Sequence, residues 1–73
     1  MEYKQTVGEF LSLLQNDDLI RIHDHDGRYY ALMDTVKWTK KHRGIKKRIV
    51  ENYECVNKHN FMTTINMWDV LIA

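Results

Sequence analysis

The chain contains no proline, three glycines and a single cysteine in 73 residues. Without proline, helix and strand ends must be set by side-chain caps and turn residues. One thiol, Cys55, cannot close an intrachain disulfide, so stability must come from the core or from a metal, and a reducing compartment is expected. No apolar run approaches the ~20 residues of a membrane span. The opening residues, MEYKQTVGEF, are too polar for a signal peptide. These absences point to one cytoplasmic domain over residues 1–73. The last lack is local: residues 35–50, TVKWTKKHRGIKKRIV, contain no acid.

What fills that stretch is positive charge. Lys37, Lys40, Lys41, Arg43, Lys46, Lys47 and Arg48 are seven of the chain's eleven basic residues, while all ten acids lie elsewhere. The formal net charge of +1 therefore conceals a cationic segment in an otherwise acidic chain, and such asymmetry is a better pointer to partners than the sum. Cations at this density, with Trp38 and His42 interleaved, suit phosphate contacts and base stacking. They equally suit an acidic protein surface, and the competing view is a solvated loop that keeps a small protein soluble. The partner-binding set is Lys37, Trp38, Lys40, Lys41, Arg43, Lys46, Lys47 and Arg48. The acids suggest the converse, imitation of a phosphate backbone by Asp17, Asp18, Asp24, Asp26, Glu51 and Glu54. Acids in turns, however, more often cap and hydrogen-bond locally.

A hydrophobic content of 44% beside 29% charge marks a folded chain rather than a disordered one. Thr6-Val7-Gly8-Glu9 has the form of a capping box, and Val7, Phe10, Leu11 and Leu14 follow at the spacing of one helix face. Asn16, Asp17 and Asp18 end that helix. Residues 19–23 alternate, with Ile20 and Ile22 together, and Asp26-Gly27 signals a hairpin into a second strand over 28–33. There Tyr30 and Leu32 are expected on one side, with Tyr29, Ala31 and Met33 on the other. The basic stretch is read as a short helix or irregular loop, capped by Asp34 or Thr35, carrying Val36 and Trp38 and stopping at Gly44; a continuing strand is the alternative. β-branched and aromatic residues return from Arg48, a turn is expected at 57–60, and a last strand at 61–72. Its face of Met62, Thr64, Asn66, Trp68, Val70 and Ile72 needs a cover, which the N-terminal helix can supply. The fold class expected is α+β: an N-terminal helix packed on a four-stranded, mainly antiparallel sheet, with a basic loop or short helix between strands 2 and 3. Most of the large aromatic side chains are expected in the core, with Trp68, on a possible edge strand, as a point for dimerisation or strand addition.

Two further constellations bear on chemistry. His23 and His25 share a face in an extended chain, and Cys55 and His59 flank the predicted second turn. Together they make four ligands suited to a structural Zn2+, which would compensate for a small core. No cofactor is otherwise required. A calcium loop through Asp24, Asp26 and Gly27 fails, because positions 1 and 12 would be Ile22 and Met33. Catalysis needs a pocket, an orienting third group and an anion site beside any His–Asp or Cys–His pair, and none is evident, so the chain is read as no enzyme.

The segment TVGEFLSLLQNDDLIRIHDHDG, through Thr6, Val7, Glu9, Asp17, Asp18, Ile20, Ile22, Asp24 and Gly27, resembles a group of small accessory proteins of phages and prophages. The resemblance covers the first third of the chain, and the basic stretch departs from it. It implies an origin in mobile elements, whose small proteins often bind and disable host machinery, CRISPR nucleases among them. The expected function is thus a non-enzymatic binding protein that inhibits a host macromolecule, an RNA-guided nuclease for instance, in the manner of an anti-CRISPR protein. The expected partner is a protein, a host nuclease or other defence component, with no membrane contact and a monomer or homodimer as the working state. The alternative is a small nucleic-acid-binding accessory protein that uses residues 37–48.

Overall fold

The structure is a computed structural model that describes residues 4–59 and 64–73, and of residues 58, 59 and 64 the backbone alone. Helix α1 spans Val7–Ser12, strand β1 Leu19–Asp24, β2 Tyr29–Thr35, helix α2 Val36–Thr39, a 3-10 helix Arg43–Ile45, β3 Val50–His59 and β4 Thr64–Ile72. The fold class is α+β with a four-stranded mixed sheet and short helices.

Strand order is β2-β1-β4-β3. Each of the two hairpins is antiparallel, but the central pair, β1 and β4, runs parallel in the register Ile20↔Trp68, Ile22↔Val70. This corrects the mainly antiparallel sheet. A parallel pair needs a crossover connection rather than a tight turn, and α2 with the 3-10 helix supplies it by carrying the chain from β2 to the far edge. It also corrects the placing of Trp68 on an edge, since β4 is an inner strand.

The capping box forms as read. The backbone N–H of Glu9 donates to Thr6 Oγ1 at 3.2 Å, and that of Thr6 donates to Glu9 Oε1 at 3.2 Å. The helix is shorter than its apolar spacing predicts, closing at Ser12, so that Leu13 lies exposed and Leu14 half-buried. Six residues cannot hold a helix alone. Val7, Phe10 and Leu11 are instead buried in one cluster with Ile20, Ile22, Ala31, Val36, Ile45, Val70 and Ile72. Two of its unpaired donors are taken by the basic segment, Val7 N–H by the carbonyl of Arg48 at 2.8 Å and Gly8 N–H by that of Lys46 at 3.0 Å.

The first hairpin closes through a loop at 25–28 in which Gly27 adopts φ +81°. The Asp24 carboxylate holds this loop, Oδ1 accepting from the N–H groups of Asp26 and Arg28 at 3.0 Å each and Oδ2 from the Tyr30 hydroxyl at 3.1 Å. These donors, Arg28 N–H foremost, together with the charge of Arg48 keep the Asp24 carboxyl below the usual carboxylate range. Strand β2 departs from strict alternation. Register shifts between Ile20 and Ile22, and between Ile22 and His23, put extra residues on the β2 side, and Met33 sits at φ +62°. The division of Tyr30 and Leu32 against Ala31 is therefore corrected: Ala31 is buried, Tyr30 packs against the core beside it, and Leu32 is exposed. Of the last turn, residues 57–59 continue β3, while Asn60 and residues 61–63 lie outside the described residues.

Candidate nucleic-acid interface

Helix α2 begins where Thr35 Oγ1 accepts the N–H of Trp38 at 3.2 Å. Its next donors go to the α1–β1 connection, Val36 N–H to Asp18 O at 2.8 Å and Lys37 N–H to Asn16 O at 3.1 Å. These bonds orient the crossover: Val36 and Thr39 turn inward and Ile45 plugs into the core, leaving Trp38 63% exposed. Residues two apart on a helix point nearly opposite ways. Burying Val36 thus expels Trp38, and the expectation that most large aromatics are core is corrected for Trp38 and for Tyr29 and Tyr53, also exposed. Trp68, by contrast, packs edge-on to Phe10 with ring centres 5.6 Å apart and donates its Nε1–H to the buried Asp18 at 3.2 Å.

The structure sorts the eight residues of the partner-binding set. Arg48 is structural: its Nε donates to the carbonyl of Ala73 at 2.8 Å, Nη2 bonds the same oxygen, and the guanidinium lies 5.3 Å from the centre of the Tyr30 ring. Lys40 is half-engaged, its ammonium donating to Asn16 Oδ1 at 2.9 Å. Lys37, Lys41, Arg43, Lys46 and Lys47 are exposed, and among the described residues none of them has a carboxylate within ion-pair distance. The Lys41 ammonium stands 5.3 Å from the centre of the Trp38 ring, a cation–π contact that still leaves most of the indole in water.

Beside Trp38 is an open cleft of about 270 Å³ between β2 and α2, lined by Tyr30, Ala31, Asp34, Trp38, Thr39, Lys41 and His42. Tyr30 and Asp34 were not in the predicted set, and alternation alone gives no signal for them, because it is the bulged register of β2 that brings them to this side.

Of the six acids read as an imitation of a phosphate backbone, three are engaged within the chain, while Asp17, Asp26 and Glu54 lie exposed. Asp18 accepts from Trp68, Asp24 holds its loop, and Glu51 pairs with His25 Nε2. On the uncovered face of the sheet, Arg21 Nη2 meets Asp69 Oδ2 at 2.7 Å and His23 Nε2 lies 2.9 Å from Asp69 Oδ1. Oδ1 is shut off from solvent and has no aligned donor, so His23 stands beside it as a neighbour in charge rather than in a formed hydrogen bond. Arg21 lowers the Asp69 carboxyl by this hydrogen bond and by its charge, against the opposing effect of partial burial, and Asp69 in turn raises Arg21.

The same geometry separates the four zinc candidates. His23 shares a sheet face with Asp69, whereas Cys55 is opposite Trp68 on the other face, exposed, its thiol 3.7 Å from Asn57 Oδ1. His25 is engaged with Glu51, and the side chain of His59 lies outside the described residues. The register therefore keeps His23 and Cys55 on opposite faces of the sheet. Among the described residues no three His, Cys, Asp or Glu side chains are gathered as a metal site, and no helix is long and apolar enough to cross a membrane.

The chain matches no protein-family model, no curated protein and no solved structure.

Proposed function

We propose that this is a non-enzymatic binding protein whose working surface is the basic crossover between β2 and β3, with single-stranded nucleic acid as its ligand. One observation carries the reading: the crossover presents an exposed indole, with the Lys41 ammonium 5.3 Å from its ring, on the same segment as five exposed cations that have no carboxylate partner among the described residues. Asp24, Glu51 and Asp69 are engaged in their own loop, pair or cluster, so the positive charge of the crossover is left for something outside the chain. Unpaired Lys and Arg favour a phosphate backbone, and an aromatic side chain open to solvent favours an unstacked base. Base pairs inside a duplex offer no such face, which favours a single strand. The setting that goes with the resemblance is a phage or prophage accessory protein at work in the cytoplasm. Binding of a labelled single-stranded oligonucleotide, followed by fluorescence anisotropy as salt is raised, tests it. The affinity should fall steeply with salt, and a salt-independent or undetectable signal rejects the reading.

A second reading keeps the expected inhibitor of a host nuclease, RNA-guided or otherwise, that docks on protein. The observation favouring it is the uncovered sheet face, where Tyr29 and Val56 are about half exposed around the Arg21–Asp69 pair. Apolar side chains with a central ion pair suit a protein partner better than a polyphosphate. Co-purification from host extract and assays across nuclease types test it. A captured nuclease released by Tyr29→Ala supports it; no partner and no inhibition reject it.

A further inference from the structure

We propose that the cleft between β2 and α2 receives a guanine base, stacked against Trp38 and read by Asp34; this rests on the nucleic-acid reading above for the strand, though not for the base. At about 270 Å³ the cleft is at the lower end of ligand pockets, typically ~300 Å³ and more. That is room for one flat ring system, with sugar and phosphate left outside. The exposed indole of Trp38 is the stacking surface, since the Tyr30 ring that also lines the cleft already has the guanidinium groups of Arg28 and Arg48 5.4 and 5.3 Å from its centre. Lys41, in the lining with its ammonium 5.3 Å from the Trp38 ring, offers a contact to phosphate.

The specificity comes from the carboxylate. Asp34 is the single acid of the cleft and is half-buried, with no side-chain hydrogen bond or ion pair among the described residues. Its place there is built by the strand. Counting alternately from the buried Ala31 would send residue 34 to the opposite face, but the bulge at Leu32 and Met33, with Met33 at φ +62°, brings Asp34 into register with Ile20, on the side of the helices. Bulges re-aim side chains in this way, and a left-handed non-glycine residue is costly enough to merit a reason. An ionised carboxylate only accepts, through two oxygens side by side. Guanine presents two parallel donors, N1–H and the N2 amino group. Adenine and cytosine each set an acceptor beside their amino group, and uracil or thymine sets its one N–H between two acceptors. A bare carboxylate facing a base edge therefore selects guanine. It also repels phosphate, which the exposed cations outside the cleft attract.

The test uses the full chain and the tryptophan emission of the exposed Trp38. Two ligands probe the strand, a short thymidine oligonucleotide with and without one central guanine, and the free monophosphates GMP, AMP, CMP and UMP probe the base. The guanine strand should bind about tenfold more tightly than thymidine alone, the discrimination of one good bidentate pair. GMP should quench where the other three do not. Asp34→Asn, at a side chain without partners among the described residues, should leave the melting temperature unchanged, tighten thymidine binding slightly by removing a charge that repels phosphate, and abolish the guanine preference, while Trp38→Phe removes the quench. If GMP quenches in an Asp34-dependent way while neither oligonucleotide binds, the cleft assignment holds and its source is a free nucleotide; the strand reading alone fails. Equal binding of both strands with no preference for GMP, or a guanine preference that survives Asp34→Asn, overturns the proposal.

Discussion

The salt response of nucleic-acid binding is where the sorting of the basic residues makes its sharpest prediction. Each phosphate neutralised on a single strand contributes a slope of about −0.7 in log affinity against log salt. Lys37, Lys41, Arg43, Lys46 and Lys47 are exposed and unpaired among the described residues, so the expected slope is about −3.5 if all five meet phosphate. That amounts to roughly a hundredfold loss between about 50 and 200 mM salt. Replacing any one of the five with Gln should flatten the slope by about 0.7. Arg48→Gln is the internal control. Its guanidinium is spent on the carbonyl of Ala73 and the Tyr30 ring, so the variant should melt at a lower temperature yet keep the wild-type slope when measured below that melt. Anisotropy of a labelled thymidine oligonucleotide over a salt series reads both. A slope flatter than about −1 would mean that the free cations do not meet phosphate. Equal flattening by Arg48→Gln and Lys47→Gln would mean that the division into inward and outward cations is wrong.

Three further predictions concern the scaffold. Asp69 is held below its ordinary range chiefly by Arg21, so its contribution to stability is full above the unfolded value of about pH 4 and is lost as the pH falls through the lower folded value; Asp24 has the same sign. Asp69→Asn should therefore be less stable near neutrality and lose less on acidification, and denaturant midpoints at about pH 7 and pH 3 that shift in parallel with wild type would contradict this. Phe10→Ala empties the contact with Trp68 and Tyr53 and should cost about 3–5 kcal/mol. Since a chain of this length holds about 4–11 kcal/mol in all, a variant that melts within a few degrees of wild type would show that Phe10 is not central. Gly8→Ala should stabilise, by up to about 1 kcal/mol, because a Cβ there meets Lys46 O at 3.4 Å and Lys46 Cβ at 3.5 Å, ordinary contacts both; a lowered melting temperature would refute it.

The features legible in the sequence are those decided within a few residues. Thr6 and Glu9 announce α1 because both partners of the capping box lie in one turn, whereas Thr35 was one of two candidate caps in a segment that could also have been loop or strand. Ile20 with Ile22, and Trp68 with Val70 and Ile72, show their common face by alternation. The parallel pairing of β1 with β4 was not legible, since nothing local tells a strand which edge of another hairpin it will meet. Nor was Asp34, because its side depends on an irregular register in β2. Trp38 was legible but misread: Val36 and Trp38 cannot share a helix face, and that alone marks one of them as exposed. Lys47 and Arg48 show the limit most plainly. Adjacent and alike in charge, they part because Arg48 meets the carbonyl of Ala73, a contact across 25 residues that no local pattern contains.

Charge segregation in the sequence and free charge on the surface are therefore different quantities, and the second decides what the protein can attract. Seven basic residues in sixteen suggest a uniform cationic patch. Folding withdraws Arg48, ties down Lys40 and leaves five, while Asp18, Asp24, Glu51 and Asp69 are drawn into hydrogen bonds and pairs of their own. The fold thus leaves a nearly neutral chain with free positive charge on the crossover without changing its composition. A small domain has few residues to spend on both tasks, and here the division follows reach. Short carboxylates close to the backbone hold loops and the indole of Trp68, whereas long lysines on the crossover extend past the core they cover. Asp34 is the exception, a carboxylate without a partner among the described residues, in a cleft that Lys41 also lines. An acid in that position weakens phosphate binding at its own side chain, so its presence in the cleft makes sense if what enters there is a donor edge rather than a phosphate.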